Sequence, residues 1–410
     1  MCGPRFPPYM EVTAAEPLRR RRRLLFLRPA AALAETGDRL LDHPTIVLDG
    51  TRIAAVERQP IAMADGAPVV DLPGVTLLPG LIDIHVHLIF DASADAIGAL
   101  AARTDDEALD SMVIAAGQAL RAGITTVRDL GDRSYLATAV TARAGEVAMP
   151  TIVAAGPPIT SHGGHCHFLG ASASGIVGLR ASVAEHAERR VDVIKVMASG
   201  GHGTAGSDPS RPQFSPDELR ALIDEAHRRG LPVVAHAHSR QSIADVIASG
   251  VDGIEHCTFL TARGPAPDQA LIDAIARQRI VVGATAGVLP GFAASRRVAT
   301  IGILDGLRRL HAAGATVAVG TDAGLGPSQP HDVLPYGMTT LANIGMTNAE
   351  VLYANTTIAA RAIGLGAAKG RISAGFDADL LAVRGNPLED LRHLRDVAGV
   401  FKDGRAVVGP

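Results

Sequence analysis

The chain has 410 residues, 47% of them hydrophobic but only 3% aromatic, with no Trp and a formal net charge of −3. A charge so near neutral offers no electrostatic footprint for nucleic acid, and so few aromatic rings leave little for base stacking, which excludes nucleic-acid partners. Three cysteines (Cys2, Cys166 and Cys257) make no disulfide framework and no apolar run reaches membrane-span length, so the expectation is a cytoplasmic globular protein of one large and one smaller domain, without a membrane partner.

In chain order, Arg19 to Arg23 precede LLFL, a pairing like the first half of a signal peptide. The RPAAALAETGDRLL that follows is broken by charges and makes a poor apolar core, so residues 1–23 are read as a disordered, solvated extension. Within residues 24–75, the stretch 44–75 carries short antiparallel strands with turns at Asp49-Gly50 and Gly66. The far end, 366–410, reads the same way: ADLLAVRGNP, then VAGVFKDGRAVVG with a hairpin turn at Asp403-Gly404. Together the two ends suggest a small β-sandwich domain.

Between them, residues 76–365 alternate apolar strands with helices. The strands are LIDIHVHL, ITTVRDL, TIVAAG, VDVIKVM, PVVAHA, GIEHC, IVVGATA and TVAVGTDA, each rich in β-branched residues. SPDELRALIDEAHRRG is the clearest helix, with Ser215 as N-cap, Pro216 at the first helical position, Glu218 closing a capping box and Gly230 as the stop. SRQSIADVIASG and the LDGLRRLHAAG segment ending at Gly314 repeat that grammar. Eight strand–helix units with buried strands predict an α/β fold, a (β/α)8 TIM-like barrel.

In such a barrel the reacting groups stand at the C-terminal strand ends. Those ends carry His85 and His87, Lys195, His236 with His238, His256 and Asp322. Residues two apart on a strand share a face, so His85 and His87 project together and can hold one divalent ion. Lys195 lies within a strand that should be buried on both faces. A buried ammonium is costly, so a neutral or modified lysine is favoured. A neutral amine can take up carbon dioxide as a carbamate, a carboxylate equivalent able to join two metal ions. Pairing with a buried acid such as Asp322, or escape from the barrel, are the other readings. Asp322 can bind one metal and shuttle a proton. Arg128, in TTVRDLG, reads as structural, paired with an acid beneath the site. The Gly-rich ITSHGGHCHFLG clusters His162, His165 and His167 on one loop, and His202, Arg211, His331 and Tyr336 sit on loops suited to holding a carboxylate or an aromatic group.

PGLIDIHVHL, TTVRDLG, IKVMASGG, AHAHS, IEHC, GTDAG and GRISAGFDADLLAV together resemble the amidohydrolase superfamily, in its binuclear branch with a carboxylated lysine. The nearest group is the imidazolonepropionase-like one, which includes Xaa-Pro and Xaa-Arg dipeptidases and ochratoxinase-type amidases. The resemblance covers about residues 25 to 410. It implies two divalent metal ions, Zn2+ by default for such donors. The ligands would be His85, His87, carboxylated Lys195, His236, His256 and Asp322. The spacing from Lys195 to His236 and on to His256 matches that group's ligands, which leaves His238 beside the substrate. A GGH on the corresponding loop of relatives lies near the substrate, which singles out His165. Catalytic roles would then fall to Asp322, His165 and His238, and substrate contacts to His165, His202, His238, His331 and Tyr336. Oligomers are common among relatives, so a homo-oligomer is expected.

The leading function is hydrolysis of an amide or peptide bond by a metal-bridging hydroxide, and the resemblance implies a small N-acyl amino acid or dipeptide with a free carboxylate as substrate. The alternative is a cyclic-amide hydrolase or deaminase, imidazolonepropionase-like. Against it stand Lys195, which such enzymes usually lack, and HAHSRQ without the acid they carry there. A non-enzymatic barrel is a third reading, disfavoured because no ligand position is missing.

Overall fold

All eight expected strands form, and most of their residues are buried: Leu81–Val86, Ile124–Asp129, Thr151–Ala154, Ile194–Met197, Val233–Ser239, Gly253–Thr261, Val281–Ala284 and Thr316–Val319. The computed structural model describes residues 24–59, 61, 66–143, 147–291 and 297–409, and the side chains of all of these except 297–300. The expected extension at 1–23 lies outside the described residues. Strands one to three pair in order as one parallel sheet, and strands four to eight as another.

Two narrow seams join these sheets. At one, Ile159 N–H donates to Lys195 O (2.8 Å) and Met197 N–H to Ile159 O (2.9 Å). At the other, Asp322 N–H donates to His85 O (2.8 Å) and His87 N–H to Ala323 O (3.0 Å). Both seams run through residues singled out from the sequence.

Helices separate the strands. Pro216–Arg228 has the capping box at Ser215 and Glu218, and Gly230 follows it at φ +74°. Its buried Leu219, Leu222, Ile223 and Ala226 fall at helical spacing on one face. Burying each of the larger three stabilises by about 1.5–3 kcal/mol.

The two chain ends share a third, eight-stranded sheet. Leu24–Leu33 pairs with Thr45–Asp49 on one side and Val69–Pro79 on the other. Val69–Pro79 also pairs with Leu380–Arg384, and the sheet continues through Val397–Lys402 to Arg405–Val408. The eight strands form one hydrogen-bonded sheet, because Val69–Pro79 pairs with strands from both chain ends. The closing hairpin turns at Asp403 (φ +51°) and Gly404 (φ +73°), the two positive values a tight primed turn requires. Gly80 then passes the chain straight into the first parallel strand, and a Cβ there would collide with Thr125.

Asp379 ties the terminal sheet together. It accepts from Lys369 Nζ (2.5 Å), Lys402 Nζ (3.1 Å) and the Asp403 amide (2.9 Å), the side chains of Asp379, Lys369 and Lys402 being buried. Burial alone would raise the carboxyl, but the two ammonium groups hold it below its ordinary value. Its stabilising contribution is therefore present above the unfolded value of about 3.9 and is lost as pH falls towards the lower folded one. Asp379→Asn should destabilise by about 1–3 kcal/mol at neutral pH, since it removes the charge shared by two buried cations, which keep only Asp377 (2.8 Å from Lys369 Nζ) and Asp403 (2.9 Å from Lys402 Nζ). Denaturant unfolding at pH 7 checks this, and a loss under about 1 kcal/mol would contradict it.

Candidate active site and metal centre

At the seam between Asp322 and His85, His85 Nε2 and His87 Nε2 lie 3.3 Å apart, and Asp322 Oδ1 lies 3.3 Å and 3.2 Å from them. Their other nitrogens face away: His85 Nδ1 meets Glu255 Oε2 (2.9 Å) and His87 Nδ1 meets Gly131 O (3.0 Å). A carbonyl or carboxylate oxygen can only accept, so each Nδ1 carries the proton and each Nε2 lone pair points at Asp322. Asp322 reaches them because the chain leaves the strand region there, at φ +57°. Such a backbone is uncommon for a non-Gly residue and clusters at functional sites.

A second trio stands opposite. The rings of His236, His238 and His256 lie 4.5–4.6 Å apart, centre to centre, and one nitrogen from each falls within 4.8 Å of the others. His236 Nε2 donates to Gly200 O (3.0 Å), which leaves its Nδ1 lone pair for the site. The outer Nδ1 atoms of His238 and His256 meet Thr258 Oγ1 (2.9 Å) and Thr285 Oγ1 (3.0 Å). Imidazoles oriented by an outer oxygen are the usual arrangement of metal-binding histidines.

Burial sets the charge states. It pushes His85 down to about 4 and His238 to about 3, and holds His236 and His256 far below their ordinary range. These four are neutral bases near pH 7, the form that binds a cation. Burial opposes charge on His87 too, but the Asp322 carboxylate outweighs it and the net shift is upward. Asp322 would rise on burial, yet His85, His87 and Lys195 hold it well below the carboxylate range.

Lys195 is 1% exposed, and its Nζ has no hydrogen-bond partner. Burial lowers it to about 8. Asp322 engages His85 and His87 instead, so the direct Lys195–Asp322 pair left open by the sequence does not form.

These groups line one cavity of about 360 Å³. Its floor is histidine, Lys195 and Asp322, and its wall is apolar: Phe90, Ile97, Phe168, Met197 and Leu325. His165 lines it, with Nδ1 on Thr204 Oγ1 (3.0 Å) and its ring 4.6 Å from that of His236. His202 lines it too, 5.4 Å from the His238 ring. Two expected contacts stand elsewhere. His331 is buried, with Nε2 on Phe90 O (2.9 Å), fastening the loop after strand eight to the loop after strand one. Tyr336 belongs to a separate cavity, under the Arg395 guanidinium at 4.7 Å. His162 and Arg211 line a third cavity beside the first. Arg128 is structural as expected, and the acid beneath the site is Glu255 (2.8 Å).

Sequence reasoning missed Glu255 and the apolar wall. Strand alternation puts Glu255 and His256 on opposite faces. The backbone is left-handed at His256 (φ +68°), however, and both residues come up against His85. The acid beside His256 in IEHC was the available signal. Phe168 follows the histidine loop directly, and Leu325 follows GTDAG.

Parallel strands whose ends bring histidines and one carboxylate into a cation-sized cluster define an α/β protein with a candidate metal centre. The chain belongs to the amidohydrolase family, whose model matches residues 76–407. It is a hydrolase acting on carbon–nitrogen bonds of the amide or peptide kind. It is 28% identical to ochratoxinase of Aspergillus niger, over 82% of this chain and 76% of that one. It is 27% identical to the imidazolonepropionase of Anaeromyxobacter sp. (strain K), over 90% and 91%. Among solved structures it resembles a Xaa-Pro dipeptidase with methionine bound in its active site, with a TM-score of 0.84 and 26% identity over 94% of this chain and all of that one. No helix among the described residues is long and apolar enough to cross a membrane.

Proposed function

We propose that the protein hydrolyses N-acyl amino acids or dipeptides with a free carboxylate, using two divalent cations held by its strand ends. The observation that carries this is the pairing of two three-donor clusters with a fully buried, unpartnered Lys195 amine in one cavity. The donor set fits: lone pairs already converge, outer nitrogens are anchored, and the orphaned amine makes sense as a carbamate joining two cations. His85, His87 and Asp322 would hold one ion, His236 and His256 the other, and carboxylated Lys195 both. Zinc suits these donors. Bound there, the ions would bring water's acidity towards neutrality and polarise the scissile carbonyl.

The chain's own residues do the rest. Asp322 is the only acid among the described residues that line the cavity, so it takes the proton of the attacking water and passes it to the leaving nitrogen. His165 and His238, neutral because burial lowers them to about 4 and 3, can donate to the carbonyl oxygen or the substrate carboxylate, joined by His202 at the rim. The similarity to ochratoxinase and to a dipeptidase supports this substrate class. The fold we infer around the site is a closed (β/α)8 barrel over 76–365. The sheet from 24–75 and 366–410 would curl over its own apolar core as a sandwich.

Dialysis against a chelator should abolish hydrolysis of a dipeptide and N-acyl amino acid panel, and added zinc should restore it. Full activity after complete metal removal would contradict the proposal. Turnover of a cyclic amide alone would favour the imidazolonepropionase-like alternative.

The apolar wall yields a second expectation. Substrates with a bulky apolar side chain beside the scissile bond should be preferred. Phe168→Ala should raise KM for them by about 10-fold, the worth of one partly buried ring, with little change in kcat. Steady-state kinetics check this; an unchanged KM would show that Phe168 does not touch the substrate.

A further inference from the structure

Beneath the metal-capable cluster runs a chain of buried charges that the proposed chemistry does not use directly. Glu255 Oε2 accepts from His85 Nδ1 at 2.9 Å, and Glu255 Oε1 accepts from Arg128 Nη2 at 2.8 Å. Arg128 Nε in turn donates to Ile84 O at 2.7 Å, on the strand that carries His85. Glu255 and His85 are each 1% exposed and Arg128 is 3% exposed. Burying a charged pair is expensive, and an apolar pair of similar volume is often at least as stable. Stability alone therefore does not account for it.

The neighbouring strand is shaped around the carboxylate. Gly283 faces Glu255, and a Cβ there would fall onto the carboxylate oxygens. The slot is specific to the acid's position, and the acid's position is specific to one nitrogen of His85.

We propose that Glu255, fixed by Arg128 in the Gly283 slot, is a positioning residue. It keeps the His85 proton on Nδ1 so that the Nε2 lone pair, 3.3 Å from both His87 Nε2 and Asp322 Oδ1, faces the cation. Outer partners of this kind change metal affinity by roughly 10- to 100-fold when removed. This rests on the two-cation reading above.

The test compares the full-length chain with Glu255→Gln and with the double variant Arg128→Met, Glu255→Leu, which removes both charges and so strands neither. Zinc affinity is measured by titrating metal-free protein against a competing chelator, with thermal melting alongside. The wild type should bind two ions. The double variant should melt cooperatively yet hold one of the two about 10- to 100-fold more weakly, and Glu255→Gln should fall between. Nitrogen NMR of metal-free protein should find the His85 proton on Nδ1 in the wild type. Two ions bound at wild-type affinity by the folded double variant, or a wild-type proton on Nε2, would overturn the positioning role while leaving the two-cation reading intact. A wild type that binds no zinc would overturn that reading, and the proposal with it.

Discussion

Asp322→Asn should lower kcat by about 10²- to 10⁴-fold, the usual worth of a positioned general base. The substitution is nearly isosteric, and the left-handed backbone at Asp322 suits Asn better than almost any other residue. The fold should therefore survive, with the Asp322 amide still bound to His85 O. What is lost is a carboxylate that lines the cavity, and with it a negative charge 3.2–3.3 Å from two imidazoles. His87, held up chiefly against burial by that carboxylate, should titrate lower in the metal-free variant. Kinetics on the best substrate decide the matter, with melting as the control for folding. An Asn variant with at least a third of wild-type kcat would remove Asp322 from the proton transfer.

Lys195→Ala should lower kcat still further, by more than about 10³-fold. Water left near its bulk acidity of about 15.7 supplies almost no hydroxide at neutral pH. The amine is fully buried and without a partner, so its removal breaks no hydrogen bond and should not unfold the strand. The space vacated can admit a small carboxylate, so formate or acetate should restore part of the activity and of the metal content. A fully active Lys195→Ala enzyme would sink the carbamate; an inactive one that keeps two ions would confine Lys195 to a charge effect.

Much of this site was legible in the sequence because strand periodicity and strand-end placement are local. His85 and His87 share a face at spacing two, and Lys195, His236, His256 and Asp322 each close an apolar run. The eight strands and the Ser215 capping box were legible for the same reason. What escaped depends on backbone departures that no spacing rule encodes. Left-handed conformations at His256 and Asp322 turn side chains that alternation would send elsewhere. Glu255 was hidden by that departure, although Arg128 was read as needing an acid. His331 and Tyr336 sit on the right loop, but the loop folds them against Phe90 O and Arg395, contacts set by tertiary packing. The separation of His236 from His238 rested on spacing in relatives, and the geometry groups both with His256. The single sheet built from both chain ends depends on a parallel pairing between Leu24–Leu33 and Val69–Pro79 that turn signals do not announce.

Amide hydrolysis should depend on cations held between the two histidine clusters and Lys195. Stepwise return of zinc to the metal-free chain, with hydrolysis of an apolar dipeptide followed at each ratio, tests it most directly. No turnover is expected without metal, and full turnover near two ions per chain. Undiminished turnover by metal-free protein would contradict it.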